Sequence, residues 1–435
     1  LVVAGLVTVS LWGGSAFASD SGGAAVEQAQ TPEAVVFDLH YRALTGPDDP
    51  LSYRSFWGFG SDTPTGIPFV EAVTKQVKEF NLVYNGAFPS AQQWSVVELK
   101  EKKPVAMYFD LDGDGTLTDN ERIQPAASSQ SQQQQEFTFV TPDFTIRKDG
   151  GVENPYRVML VANSYGGEQM NYMWSPCCVL EGQATLAGEP TRLFLYDSGF
   201  DGTFRVFGTS SFTLIPASQK VEEYLPRAML STLICREGTY YRLAIEGSQE
   251  KDKILQVTFR KDTSPTGRTV INLAGKESLK TRLNYARISG AKDDTIQFNT
   301  TNAQSVIPVG QYRLAGGSVC YGVESSDQWQ VSFDTGPEFA VVEDQTASIE
   351  MGEATLTVKA AAEQERWNSD AEMKTTYAKG TPLYLSLQIK GKAGEVYTRF
   401  SKNNAENNQW SDVKPHLTIV NADGKEITST DLEYG

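Results

Sequence analysis

The chain has 435 residues, 40% of them hydrophobic and 21% charged, with a formal net charge of −16. That composition excludes a disordered chain and suits roughly three or four globular domains. The acidic balance argues against a nucleic-acid binder or a protein drawn to an anionic membrane surface, and it suits a holder of divalent cations.

Leu1 to Leu11 is an apolar run, followed by small residues up to Ala16-Phe17-Ala18. An apolar core ending in A-x-A is the pattern of a secretory signal peptide, and it is too short to cross a bilayer as a helix. We therefore expect a leader over 1–18, cleavage near Ala18 and an exported protein: periplasmic, cell-surface or extracellular. No later stretch approaches the roughly 18 apolar residues that a membrane span needs, so no transmembrane span is expected in the mature chain. Residues 19–34, rich in Gly, Ala, Ser and Gln, read as a linker.

From 35 to 126 we expect a small α+β domain. Its start is aromatic, with Phe37, Tyr41, Tyr53, Phe56, Trp57 and Phe59. Pro68 to Phe80 places Phe69, Val73, Val77 and Phe80 at helical spacing, with Pro68 in a first-turn position. Trp94 to Leu99 and Val105 to Phe109 are apolar runs separated by the charged turn Lys100 to Lys103, which predicts a β-hairpin.

That hairpin runs directly into Asp110 to Glu121, DLDGDGTLTDNE. Asp110, Asp112 and Asp114 stand at positions 1, 3 and 5, Gly115 at 6, Thr116 at 7, Thr118 at 9 and Glu121 at 12. This is the ligand order of a 12-residue calcium loop, in which position 7 offers its backbone carbonyl and position 12 a bidentate carboxylate. Calcium is a hard ion that takes six to eight oxygens, whereas magnesium needs a tighter octahedron and sheds its waters reluctantly. The alternative is a solvated acidic turn. The exit, Thr118 to Ile123, has room for barely one helical turn before Pro125.

Gln124 to Glu136 is rich in Ser and Gln and reads as a surface loop or boundary. A β-domain is expected over 127–218, with strand candidates at Phe137–Val140, Phe144–Ile146, Arg157–Val161 and Arg192–Tyr196. The last of these enters Asp197-Ser198-Gly199-Phe200-Asp201-Gly202-Thr203, a partial echo of the first loop. Asp197, Asp201, Gly202 and Thr203 match positions 1, 5, 6 and 7. Gly199, Arg205 and Gly208 stand at 3, 9 and 12, so three side-chain ligands are missing. The second copy reads either as a weaker site or as a turn that has kept only the shape, the turn being favoured.

Beyond Ile215 the pattern alternates at period two, with turn residues roughly every 8 to 12 positions, the rhythm of β-sandwiches. We expect a β-domain over 219–335 and an immunoglobulin-like β-sandwich over 336–435. Asn421 to Gly424 reads as a hairpin turn built on Asp-Gly. The fold class is thus mainly β and multidomain, with β-sandwich C-terminal domains. Four cysteines, Cys177, Cys178, Cys235 and Cys320, allow three disulfide connectivities in an exported chain. Cys235 with Cys320 is the pairing to test first, and buried free thiols are the alternative.

Tyr108-Phe109 running into DLDGDGTLTDNERI resembles the calcium loops of EF-hand and dockerin-type proteins. The arrangement as a whole is similar to exported β-rich proteins of planctomycete and verrucomicrobial bacteria. Those carry Asp-x-Asn/Asp-x-Asp-Gly loops between strands and often close on a tail like Glu433-Tyr434-Gly435. The loop resemblance implies calcium bound by Asp110, Asp112, Asp114, Thr116, Thr118 and Glu121. It departs from the family in having a strand, not a helix, before the loop, which favours a structural ion over signalling by helix opening.

No G-x-S-x-G, H-E-x-x-H or phosphate-cradling glycine loop occurs, and the only histidines are His40 and His416. Two aromatic groups offer rings for sugar stacking: Tyr53, Phe56, Trp57 and Phe59, and separately Tyr172 with Trp174. Ordinary core packing is the competing reading for both. The sequence therefore favours an exported calcium-binding structural or binding protein, with a glycan or cell-surface protein as a further partner. A carbohydrate-active or other hydrolytic enzyme is the alternative.

Overall fold

A computed structural model describes residues 34–52, 56–58, 60–61, 77–84, 94–130, 134–147, 153–165, 170–200, 202–221, 225, 227–247, 255–274, 281–291, 296–301, 303–322, 328–362, 376–378, 380–404, 409–421 and 423–432. These residues are almost wholly β, arranged in several sheets, with no α-helix among them. The expected leader lies outside the described residues, as does the linker apart from its last residue, Ala34, which opens the first strand. Most of the helix expected over Pro68 to Phe80 also lies outside. Its described end is not helical, because Phe80 opens the strand Phe80–Tyr84.

The largest sheet of the N-terminal part has eight antiparallel strands. Their spatial order is Ala228–Met229, Ser211–Pro216, Glu189–Tyr196, Cys178–Leu186, Ala34–Ala43, Leu255–Lys261, Thr239–Gly247 and Leu233–Arg236. The two edge strands are neighbours in sequence, joined only by Leu230, Ser231 and Thr232. Laid flat, eight strands would place their edges ~34 Å apart at about 4.8 Å per gap. The link from Met229 to Leu233 reaches at most ~15 Å. The sheet must therefore roll into a barrel-like curl.

Period-two alternation fills that curl. Phe37, Leu39, Leu180, Leu193, Leu195, Val257 and Phe259 belong to one buried cluster, while the intervening Asp38, His40, Gln256 and Arg260 are exposed. The outward side of the same sheet carries Arg42 and Arg192 on Glu181, at 2.8 and 2.6 Å.

Two five-stranded sheets pack onto the same core. One runs Phe56–Gly58, Asn171–Pro176, Val158–Tyr165, Gln134–Val140, Pro125–Gln130. The other runs Gly60–Ser61, Phe80–Tyr84, Trp94–Lys100, Lys103–Phe109, Arg122–Ile123, and holds the expected hairpin. A second core joins Ile271, Ile307, Ile349 and Met351 of a three-stranded sheet to Ile288, Leu314, Val331 and Phe333 of a nine-stranded sheet, a β-sandwich.

The sheets take strands from both sides of the boundaries drawn at 126/127, 218/219 and 335/336. Ala34–Ala43 pairs with Cys178–Leu186 and Leu255–Lys261. Trp329–Thr335 pairs with Val396–Asn404. The sandwich expected over 336–435 therefore borrows strands from 266–335, and one of its pairings, Thr266–Leu273 with Thr346–Met351, is parallel. The Asp-Gly hairpin is formed by His416–Val420 and Glu426–Asp431, with Gly424 at φ +78°.

Candidate metal centre

The loop Asp110 to Glu121 is held by what flanks it. The strand before it turns back from Trp94–Lys100 through Glu101 and Lys102, both in the left-handed region at φ +53° and +62°. Phe109 points into the main core, 5.1 Å from Phe144 and 5.7 Å from Trp174 by ring centroids. Tyr108 faces the other side, in a small cluster with Leu82, Val96 and Leu117. Leu117 belongs to the loop itself, so the eighth loop position nails the loop to the sheet. At the exit, Arg122 lies over the Tyr108 ring and donates to Glu98 from Nε and Nη2, at 3.1 and 2.8 Å.

Asp110 has no exposed surface, and Glu121 is 5% exposed. Asp110 accepts from the Gly113 N–H at 2.7 Å on Oδ1 and from the Gly115 N–H at 2.9 Å on Oδ2. Gly113 and Gly115 supply the left-handed backbone, φ +72° and +80°, that turns those N–H groups inward. Asp112 and Asp114 are exposed and accept from the N–H groups of Asp114 and Thr116.

One oxygen from each of Asp110, Asp112 and Asp114 lies within 4.8 Å of the others. Oxygens bound to one calcium at about 2.3–2.6 Å lie at most ~5 Å apart, so the three carboxylates fit around a single ion. This acidic triad can hold a metal ion.

Glu121 stands beside this group rather than in it. Its Oε1 accepts from the Leu111 N–H at 2.8 Å, and its Oε2 from the Thr118 N–H at 2.8 Å and the Thr118 hydroxyl at 3.1 Å. The carboxylate thus clamps the start of the loop to its end, and Asp119–Glu121 form a single 3-10 turn. Thr116 and Thr118 are exposed, and the Thr118 hydroxyl is turned toward Glu121.

The electrostatics favour a cation. Burial pushes the Asp110 carboxyl up from its ordinary value to about 6, against the two backbone N–H groups that lower it. The charges that act on it, Glu121 and Asp112, are both negative and raise it further.

Of the second loop, Asp197 is fully buried and accepts from the Tyr156 hydroxyl at 2.7 Å and from the Gly202 N–H, while Asp201 lies outside the described residues. Nothing in the spacing around Asp197 points to Tyr156, which comes from a strand 41 positions earlier in the chain.

Two other expectations change. Tyr172 and Trp174 are 0% and 1% exposed, packed between sheets, so they present no stacking platform. Both fall on the same face of Asn171–Pro176, and that face is the inner one. Tyr53 and Phe59 lie outside the described residues, as do the side chains of Phe56 and Trp57. All four cysteines are free, with Cys177, Cys178 and Cys320 buried and Cys235 exposed. Cys235 and Cys320 sit in strands of different sheets. No described helix is long and apolar enough to cross a membrane. Comparison with protein families, curated proteins and solved structures finds no match to this chain.

Proposed function

We propose that this is an exported calcium-binding structural or binding protein in which one Ca2+ rigidifies the junction between the strand Lys103–Phe109 and its following loop. The observation that carries the reading is the convergence of Asp110, Asp112 and Asp114 oxygens within 4.8 Å, with Asp110 wholly buried. Crowded carboxylates repel, and a buried one is expensive to ionise unless a cation sits on it.

The ligand set is all oxygen, which suits calcium better than zinc or copper. Asp110, Asp112 and Asp114 supply charge, the Thr116 carbonyl and the Thr118 position complete the loop, and Glu121 holds its two ends together. The bound ion adds stability by mass action, because the unfolded chain does not bring these groups together. Export fits such a site, since modules outside cells meet abundant calcium and manage with affinities of about 10⁻⁴–10⁻³ M.

Burial of Tyr172 and Trp174 removes one of the two ring groups that suggested a sugar ligand, and this counts against a glycan partner and against a carbohydrate-active enzyme alike. The test is a thermal melt of the full chain in chelator and in millimolar calcium. A higher melting temperature is expected with calcium. Superimposable curves would count against the bound ion.

A further inference from the structure

Two stretches of this chain fold as the same unit. In each, a two-residue turn with both φ positive leads into a strand: Glu101 and Lys102 at +53° and +62°, Ala187 and Gly188 at +54° and +84°. Each strand, Lys103–Phe109 and Glu189–Tyr196, ends at a fully buried aspartate, Asp110 and Asp197. In each loop the N–H of a glycine five residues on, Gly115 or Gly202, donates to that aspartate. Those glycines are left-handed alike, at φ +80° and +75°. So is the fourth loop position, Gly113 at +72° and Phe200 at +56°.

The copies differ in what surrounds this shared backbone. A Cβ placed on Gly115 would meet nothing within 4 Å. A Cβ on Gly202 would meet Ile146 Cδ1 at 2.7 Å. At the third position, where the first loop has Asp112, a Cβ on Gly199 would meet Thr209 Cγ2 at 2.5 Å. The Tyr156 hydroxyl donates to Asp197 Oδ2 at 2.7 Å, and its ring packs edge-on against Phe200 and Phe204, both fully buried. A side chain in the left-handed region is costly for phenylalanine, and burial of its ring against Tyr156 offsets that strain.

We propose that the second loop is an ion-free copy of the first, closed by protein groups. The Tyr156 hydroxyl does for Asp197 what a cation does for Asp110, Thr209 fills the room that a third-position ligand would need, and Ile146 packs against the turn at Gly202. Tyr156 is then a positioning residue, and the Asp197 loop keeps its shape whether or not calcium is present. The resulting count, one ion from these two loops and not two, rests on the calcium reading of the first loop; the closure of the second loop does not.

The experiment uses the full chain. Hydrogen exchange of the parent in chelator and in calcium is expected to leave Gly202 N–H protection unchanged while Gly115 N–H loses protection in chelator. Tyr156→Phe is expected to lower the melting temperature by roughly 2–5 °C equally in both conditions, and to lower Gly202 protection. Calorimetry is expected to give calcium uptake that is unchanged in Asp197→Ala and reduced by one ion per chain in Asp110→Ala. Loss of one calcium ion per chain in Asp197→Ala would overturn the proposal, as would Gly202 protection that needs calcium. Should the parent take up no calcium, the first-loop reading fails, and the Tyr156→Phe exchange and melt in chelator still decide the second loop. A loss then supports the closure, and no loss overturns it.

Discussion

Asp110→Asn should change the sign of its effect on stability with the presence of calcium. Without an ion, the folded state holds Asp110 in its acid form up to about pH 6, against an ordinary value of 3.8. A carboxyl whose folded pKa is raised makes the folded state bind more protons than the unfolded state. Stability in chelator therefore falls as pH rises from about 4 to about 6, and the full penalty persists above that. The rise corresponds to roughly 3 kcal/mol at pH 7.5, as an upper figure. Asparagine removes that penalty but leaves the Gly113 or Gly115 N–H facing an amide NH2, which costs about 1–2 kcal/mol. The net expectation in chelator at pH 7.5 is a variant more stable than the parent by about 1–2 kcal/mol. In millimolar calcium the order reverses, because the variant has lost a charged ligand. Near pH 4 in chelator the gain vanishes and only the lost hydrogen bond remains. Urea melts of parent and variant under the three conditions measure this. A variant destabilised by the same amount in chelator and in calcium would refute the reasoning.

Two further outcomes follow from other parts of the chain. Cys177, Cys178 and Cys320 are buried, and burial pushes the Cys177 thiol up to about 12, whereas Cys235 is exposed. A thiol reagent should label one cysteine per native chain and four after unfolding; four rapid labels in the native state would contradict the described packing. Burial alone would raise the Glu181 carboxyl, but Arg42 and Arg192 outweigh it and hold it below its ordinary value. Its contribution is present above the ordinary carboxylate range and is lost as pH falls through the lowered folded value. Glu181→Gln should cost about 1 kcal/mol at pH 7, discounted for its partial exposure, and nothing near pH 2. An equal cost at both pH values would show that packing, not charge, holds that pair.

The acidic triad was legible because Asp110, Asp112 and Asp114 alternate within one short loop, where local spacing brings the carboxylates together. The hairpin before it was legible because two apolar runs, now seen as Trp94–Lys100 and Lys103–Phe109, lie next to each other in sequence and meet across the two charged residues Glu101 and Lys102. The rolled sheet was not, because it depends on Ala34–Ala43 meeting Cys178–Leu186 and Leu255–Lys261 far along the chain. Alternation in Asn171–Pro176 set Tyr172 and Trp174 on one face but could not say that this face was buried, since a second sheet supplies the burial. The clamp role of Glu121 was hidden for a subtler reason. The same carboxylate spacing serves a bidentate ion ligand and an acceptor for the Leu111 and Thr118 N–H groups. The link between Tyr156 and Asp197 joins two segments that share no pattern.

The most direct measurement is calorimetric titration of calcium into the chelator-stripped chain, beside a variant carrying Asp110→Ala and Glu121→Ala. Saturable uptake by the parent and its loss in the double variant are expected, with the variant still cooperatively folded. Uptake by the folded variant equal to that of the parent, or no uptake by either, would contradict a calcium site in this loop.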